Sequence, residues 1–173
     1  MPYNEETLEI VVRHVNQVQD MLSRPYLIEN PASYVGLRSS TIPETEFLAE
    51  IAARTGCQLL CDISNIVVSA HNMGYDARAY IDSLPGNKIG EMHLGGYTPE
   101  YDEATPGAEL LIDTHAAPIA RWTWDLYEYA LRRFGPKPAL IEWDNDLPPL
   151  TTLLGEAAQL QKILTEMRHA AVS

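Results

Sequence analysis

The chain has 173 residues, 46% of them apolar, enough for one ordinary domain with a buried core and too many for a disordered segment. Its formal charge of -12, from 24 acidic against 12 basic residues, argues against nucleic acid or an anionic membrane surface as partner, because binding a polyanion needs clustered lysine and arginine. No secretory n-region and h-region and no apolar run near ~18 residues is present, so no membrane span and a cytoplasmic location are expected.

From Asn4 to Ser23, Leu8, Val11, Val12, Val15, Val18 and Leu22 recur at helical spacing, with Asn4 placed to cap the helix and Glu5 and Glu6 favourable to its dipole. His14, beside that stripe, reads as a solvated or packed helix residue. Pro25 stops the helix, Tyr26 to Glu29 reads as a strand, and Asn30-Pro31 turns the chain away. Thr41-Ile42-Pro43-Glu44 reads as a capping box opening a helix through Phe47, Leu48, Ile51 and Ala52 that Gly56 closes. A strand from Gln58 to Asp62 follows; Cys57 and Cys61 flank its apolar run without forming a CxxC pair, so both are expected to be reduced core residues. Ser64 to Asn72 reads as a long loop holding Asn65 and His71, before a short helix capped by Asp76 and ended by Pro85-Gly86.

A strand from Lys88 to Leu94 carries His93 into Gly95-Gly96, a pair that permits close backbone approach. The stretch from Gly96 to Gly107, with Pro99, Pro106 and three acidic residues, has the length of a lid or binding loop. Glu109-Leu110-Leu111-Ile112-Asp113-Thr114-His115 reads as a buried parallel strand ending in two metal-competent side chains at i and i+2, which leave one face together. Pro118 suits the first turn of a helix through Trp122, Leu126 and Tyr129, which Gly135-Pro136 ends, with Trp122 and Trp124 covering the outer face of the sheet. The last strand, Pro138 to Trp143, leads to a helix with Leu153, Leu154, Ala157, Leu160, Ile163, Leu164 and Met167 on its apolar side, and His169 near its end is expected in solvent.

Alternating strands and helices imply one α/β domain over residues 1–173, built on a parallel sheet. Five strand–helix units fall short of a closed eight-stranded barrel, which takes about 250 residues, so an incomplete TIM-barrel-type domain is expected. Glu29, Asp62, His93, Asp113, His115 and Glu142 stand at the carboxyl ends of these strands, where α/β folds hold their chemistry. Each alone could be a capping carboxylate or a hydrogen-bonded core imidazole. Together, carboxylates on one rim repel unless cations neutralise them, and mixed carboxylate–imidazole donors suit iron, manganese or zinc better than calcium or magnesium. Pairing among the charged groups themselves is the alternative. Asp144 and Asp146 read as solvated or capping groups, and no P-loop, GxGxxG or GxSxG motif occurs.

Ile28-Glu29-Asn30-Pro31-Ala32-Ser33-Tyr34, Cys61-Asp62-Ile63-Ser64-Asn65, Ala70-His71-Asn72-Met73-Gly74-Tyr75-Asp76, Glu91-Met92-His93-Leu94-Gly95-Gly96, Ile112-Asp113-Thr114-His115 and Leu140-Ile141-Glu142-Trp143-Asp144 resemble, in order, the motifs of the domain of unknown function 692 family. That family comprises TIM-barrel multinuclear non-haem iron enzymes, among them the methanobactin-biosynthesis oxidase and a relative that excises a β-carbon from a peptidyl cysteine. The resemblance implies that Glu29, Asp62, His93, Asp113, His115 and Glu142 are ligands to two or three irons, with Asn65 and His71 as further candidates. It also implies a cysteine-containing peptide substrate and a separate peptide-recognition protein. Ser64 replaces the first of two adjacent asparagines of the family motif, and Met73 stands where a histidine is common. Strands one to three of the family barrel, with two histidines of its cluster, have no counterpart here, so exposed sheet edges and self-association are expected. The expected function is iron-dependent oxidative modification of peptide cysteines, with the active chain or a truncated fragment both open. A divalent-metal isomerase or hydrolase on a xylose-isomerase-like barrel and a non-catalytic remnant are the alternatives.

Overall fold

The computed structural model describes residues 1–101 and 107–170. Helix α1 spans Glu5–Leu22, and its start is fixed by Asn4, whose side chain accepts from the Thr7 N–H at 3.0 Å while Thr7 Oγ1 accepts from the Asn4 N–H at 3.2 Å. After strand β1, Leu27–Glu29, helix α2 runs Glu44–Thr55 and ends in Gly56 with φ of 74°. The expected capping box does not form. The residue before α2 is Pro43, with no side-chain cap, because Glu44 is drawn into tertiary contacts and accepts hydrogen bonds from the Tyr3 hydroxyl at 2.8 Å and from the Tyr80 hydroxyl.

Strand β2, Gln58–Asp62, passes directly into helix α3, Ile63–Met73, where the sequence reading placed a loop. The β-branched run through Ile66, Val67 and Val68 has low helix propensity, yet every residue from Ile63 to Ala70 is buried, and a helix apolar on all sides is held by packing. Asp62 caps it, accepting from the Asn65 N–H at 2.7 Å. Helix α4, Ala77–Ser83, is capped by Asp76 as expected. Strand β3 covers Ile89–Gly95, strand β4 Thr98–Tyr101, strand β5 Glu109–Ile112, helix α5 Arg121–Phe134, strand β6 Ala139–Glu142 and helix α6 Leu150–Ala170. Helix α5 begins at Arg121, leaving Pro118 outside its first turn. Trp124 is buried edge-on against Tyr127, while Trp122 stays exposed.

The main sheet has four parallel strands in the order β1-β2-β3-β6. The segment expected as a fifth parallel strand is not in it: β5 pairs antiparallel with β4. An apolar run does not specify its neighbour. Here Gly95-Gly96 lets the chain turn back, and β3 pairs directly with β6, leaving no place between them. The stretch expected as a lid therefore contains β4, and its residues 102–106 lie outside the described ones.

Register fixes which face each strand residue serves. Leu59 and Cys61 of β2 and Met92 and Leu94 of β3 enter the core with Leu8, Phe47, Ile51, Ile66, Leu126 and Tyr127. Cys57 and Cys61 are free and buried, and burial pushes both thiols up, Cys61 strongly. Among the described residues no helix is long and apolar enough to cross a membrane.

Candidate metal centre

The alternate strand positions form the site. Glu29 is aligned with Leu60, Asp62 with His93, and Gly95 with Glu142. Because side chains alternate along a strand, Glu29, Leu60, Asp62, His93, Gly95 and Glu142 all face the side opposite the helices. Glycine at 95 leaves a gap on that face, and the His115 ring fills it: a Cβ on Gly95 would lie 2.5 Å from His115 Cδ2. A Cβ on Gly96 would lie 1.7 Å from the Ala117 carbonyl oxygen, so this glycine lets the segment after β5 lie against the end of β3. His115 itself has φ of 47°.

Two triads result. Glu29, Asp62 and His93 each offer a ligand atom within 4.8 Å of the others, and so do Asp62, His115 and Glu142. Asp62 is common to both. His93 Nδ1 lies 2.8 Å from Glu142 Oε1; His115 Nδ1 lies 3.2 Å from Glu142 Oε2, and His115 Nε2 lies 2.9 Å from Asp113 Oδ1. Asp62 is 0% exposed and the two imidazoles 8% each.

The arrangement is not a satisfied hydrogen-bond network. Among the described residues Asp62 Oδ2 and Asn65 Oδ1 are buried with no hydrogen-bond partner, while His93 Nδ1, Asp113 Oδ1 and His115 Nε2 are buried with only the carboxylate–imidazole approaches of 2.8 and 2.9 Å, which lack hydrogen-bond geometry. Buried polar atoms are normally paired, so free Asp62 and Asn65 oxygens beside poorly aligned carboxylate–imidazole contacts fit a cation among them. Electrostatics point the same way. Glu29 is exposed at the sheet edge, yet partial desolvation, reinforced by Glu142, raises its carboxyl; burial raises Asp62 well above the carboxylate range, with Asp113 and Glu29 adding to it and the Asn65 N–H opposing. The Asp113 carboxylate raises His115 to about 9, against the cost of burial and with help from Asp144 and Asp62.

The expected residues divide as follows. Glu29, Asp62, His93, His115 and Glu142 are in the triads, and Asp113 touches His115. Asn65 stands beside them, its Nδ2 donating to Glu29 Oε1 at 3.2 Å and to the Asn30 carbonyl at 3.0 Å. His71 is elsewhere: α3 carries it nine residues past Asp62, roughly 13 Å at 1.5 Å per residue, and its Nε2 lies 3.4 Å from Glu109 Oε1. Asp144, read as a solvated or capping group, reaches His115 Nδ1 at 3.2 Å through a side chain that is 69% exposed, an orienting contact for the ring.

Sequence reasoning missed the side chains that hold these strand ends. Asn30 accepts from the Asp62 N–H at 2.9 Å and donates to the Asp62 carbonyl at 3.0 Å. The Ser64 hydroxyl does the same to Gly95, donating to its carbonyl at 2.7 Å and accepting from its N–H at 2.8 Å. Asn72 does so to Leu111. A side chain with one donor and one acceptor continues a ladder where the backbone has turned away, and an Asn or Ser just past a strand is the one signal that could have suggested it.

Carboxylates and imidazoles gathered on one face at the carboxyl ends of a parallel sheet define an α/β protein with a candidate metal site. Residues 1–165 match the family described as RiPP precursor modification enzyme MbnB/TglH/ChrH, and the chain belongs to that family. Among its relatives are UPF0276 proteins of Vibrio parahaemolyticus, 44% identical over 168 residues; of a Caulobacter species, 46% identical over 164; and of Bordetella parapertussis, 46% identical over 162. These matches cover 96%, 95% and 94% of this chain but 57%, 58% and 55% of the relatives, so the chain spans little more than half their length. The kinship with peptide-modifying enzymes expected from the motifs is met at the level of that family.

Proposed function

We propose that this chain carries the metal-binding rim of an iron-dependent enzyme that oxidatively modifies cysteine residues of a ribosomally synthesised peptide, on a TIM-barrel-type scaffold. The observation that carries the reading is the pair of triads sharing Asp62, whose Oδ2 is buried without a hydrogen-bond partner among the described residues. Glu29, Asp62 and His93 would hold one cation and Asp62, His115 and Glu142 another, with Asp113, whose Oδ1 lies 2.9 Å from His115 Nε2, as a further ligand to the second and Asn65 at the edge of the first. Bound iron would supply one-electron redox chemistry with dioxygen toward a substrate thiol.

The chain's own residues supply charge, orientation and dryness. Asp62 shields its carboxylate from water while the Asn65 N–H fixes one oxygen, leaving the other free. Asp144 sets the His115 ring, and the Gly95 gap admits it. The peptide substrate is supported by the family match, and a separate peptide-recognition protein is part of the same proposal.

The test is iron analysis of the purified chain combined with oxygen uptake in the presence of a cysteine-containing peptide. Bound iron with thiol-dependent uptake supports the reading; turnover with zinc or magnesium alone and no oxygen consumption replaces it with a divalent-metal isomerase or hydrolase. Metal binding without any turnover points to a non-catalytic piece.

A further inference from the structure

We infer that Asn72 and Tyr34 are positioning residues for the Asp113–Thr114–His115 limb of the candidate metal centre, an inference that rests on the metal reading above. This limb is the one part of the cluster that the parallel sheet does not carry, since β5 pairs with β4 alone among the described strands. In that hairpin Leu111 stands opposite Pro99 at a pair whose backbone groups do not bond to each other, and the Leu111 N–H and carbonyl point to the side away from β4. The Leu111 N–H and carbonyl instead meet Asn72 on the last turn of α3. Asn72 Nδ2 donates to the Leu111 carbonyl at 2.9 Å, and Asn72 Oδ1 accepts from the Leu111 N–H at 2.9 Å, the two-bond pattern of a strand neighbour. Two residues on, the Tyr34 hydroxyl accepts from the Asp113 N–H at 3.0 Å, reaching across from the connection between β1 and α2.

Three side-chain anchors thus act on the limb, Asn72 at Leu111, Tyr34 at Asp113, and Asn145, whose Nδ2 donates to the Thr114 carbonyl at 2.8 Å, beside the backbone bond by which the His115 carbonyl accepts from the Asp144 N–H at 2.8 Å. The 2.9 Å approach of Asp113 Oδ1 to His115 Nε2 depends on the backbone course between them, which no neighbouring β-ladder fixes. Neither Asn72 nor Tyr34 contributes an atom to either triad. Changing them alters where ligand atoms stand without removing one, the situation in which partners of ligands affect metal affinity.

The experiment uses the full chain with Tyr34→Phe and Asn72→Ala, titrated with manganese(II) as a redox-stable probe, and follows backbone amide exchange at Leu111 to His115 in the metal-free proteins. Each variant is expected to weaken manganese binding about tenfold or more and to speed exchange in this segment, leaving exchange in β2 and β3 unchanged. Unchanged affinity, or faster exchange spread evenly over the sheet, overturns the inference. Tyr34→Phe removes a single oxygen and decides the matter if Asn72→Ala does not fold. If the unaltered chain binds no manganese, the metal reading fails by itself; the exchange measurement then still separates a limb held by these two side chains from one that is not.

Discussion

Asp62 concentrates more of the proposed chemistry than any other residue. It is buried, caps α3 with one oxygen, and belongs to both triads. Asp62→Ala is therefore expected to empty the centre, whereas Asp113→Ala and His115→Ala lower bound metal while leaving the Glu29–Asp62–His93 triad its ligands. Elemental analysis after iron or manganese loading ranks them, and equal loss in all three counts against a shared carboxylate. The Asp62 substitution also removes a helix cap, a loss of about 1 kcal/mol, so metal content is compared among variants that remain folded. Acid–base linkage gives a second expectation. Glu29, Asp62 and His115 are all raised in the folded, metal-free chain, so that state binds more protons than the unfolded one and its stability falls as pH rises. The His115 contribution is fully present below its ordinary value of 6.5 and is lost as pH rises to about 9. Thermal melts of the metal-free chain between those values are expected to show a declining midpoint, flattened when metal replaces the protons; a midpoint that climbs contradicts the charge balance drawn here.

At the scale of elements, the hairpin and the glycine pair decide how the fifth ligand-bearing segment joins the other four. Gly96→Ala places a methyl group where the Ala117 carbonyl already lies, and backbone against backbone cannot give way as a flexible side chain would. The end of β3 and the segment carrying His115 must separate, so this variant is expected to lower both metal affinity and melting temperature. Gly155→Ala, at a helical position with open space around it, is expected to raise stability slightly, by about 0.5–1 kcal/mol, and to leave metal binding alone. Calorimetry and metal titration of the two variants test the pair; a Gly96→Ala protein that binds metal like the original removes the close approach from the account.

For the whole molecule, the sheet's edges matter most. β1 and β6 each have a neighbour on one side only in the described structure. Val18 and Tyr26 are exposed in a groove lined by β1, and Leu140 and Leu154 in one lined by β6. Unpaired strand edges with apolar surroundings template association, while a charge of -12 opposes it. The isolated chain is expected to self-associate in a concentration-dependent way, and more so as salt screens the repulsion. Sedimentation at low and high ionic strength checks this: a monomer at every concentration and salt level shows that neither edge recruits a partner.

The sequence by itself determined the elements whose signals are local. The Asn4 cap and apolar stripe of α1, the Asp76 cap of α4, the Gly56 and Gly135 stops, and the four parallel strands can all be read from side-chain periodicity and terminus chemistry. It also placed Glu29, Asp62, His93 and Glu142 at strand ends, because a strand's carboxyl end follows directly from where its apolar run stops. Only the tertiary structure decided the rest. Burial on all sides made Ile63–Met73 a helix against its own propensity, and so carried His71 off to Glu109. Pairing with β4 took Glu109–Ile112 out of the parallel sheet, since a strand's hydrogen-bond partner is chosen by which backbone lies beside it and not by its own residues. That Asp62 serves two triads, that Asn72 reads the backbone of Leu111, and that the His115 ring occupies the space left by Gly95 are relations between segments distant in the chain, fixed by register and close packing, to which local pattern is blind.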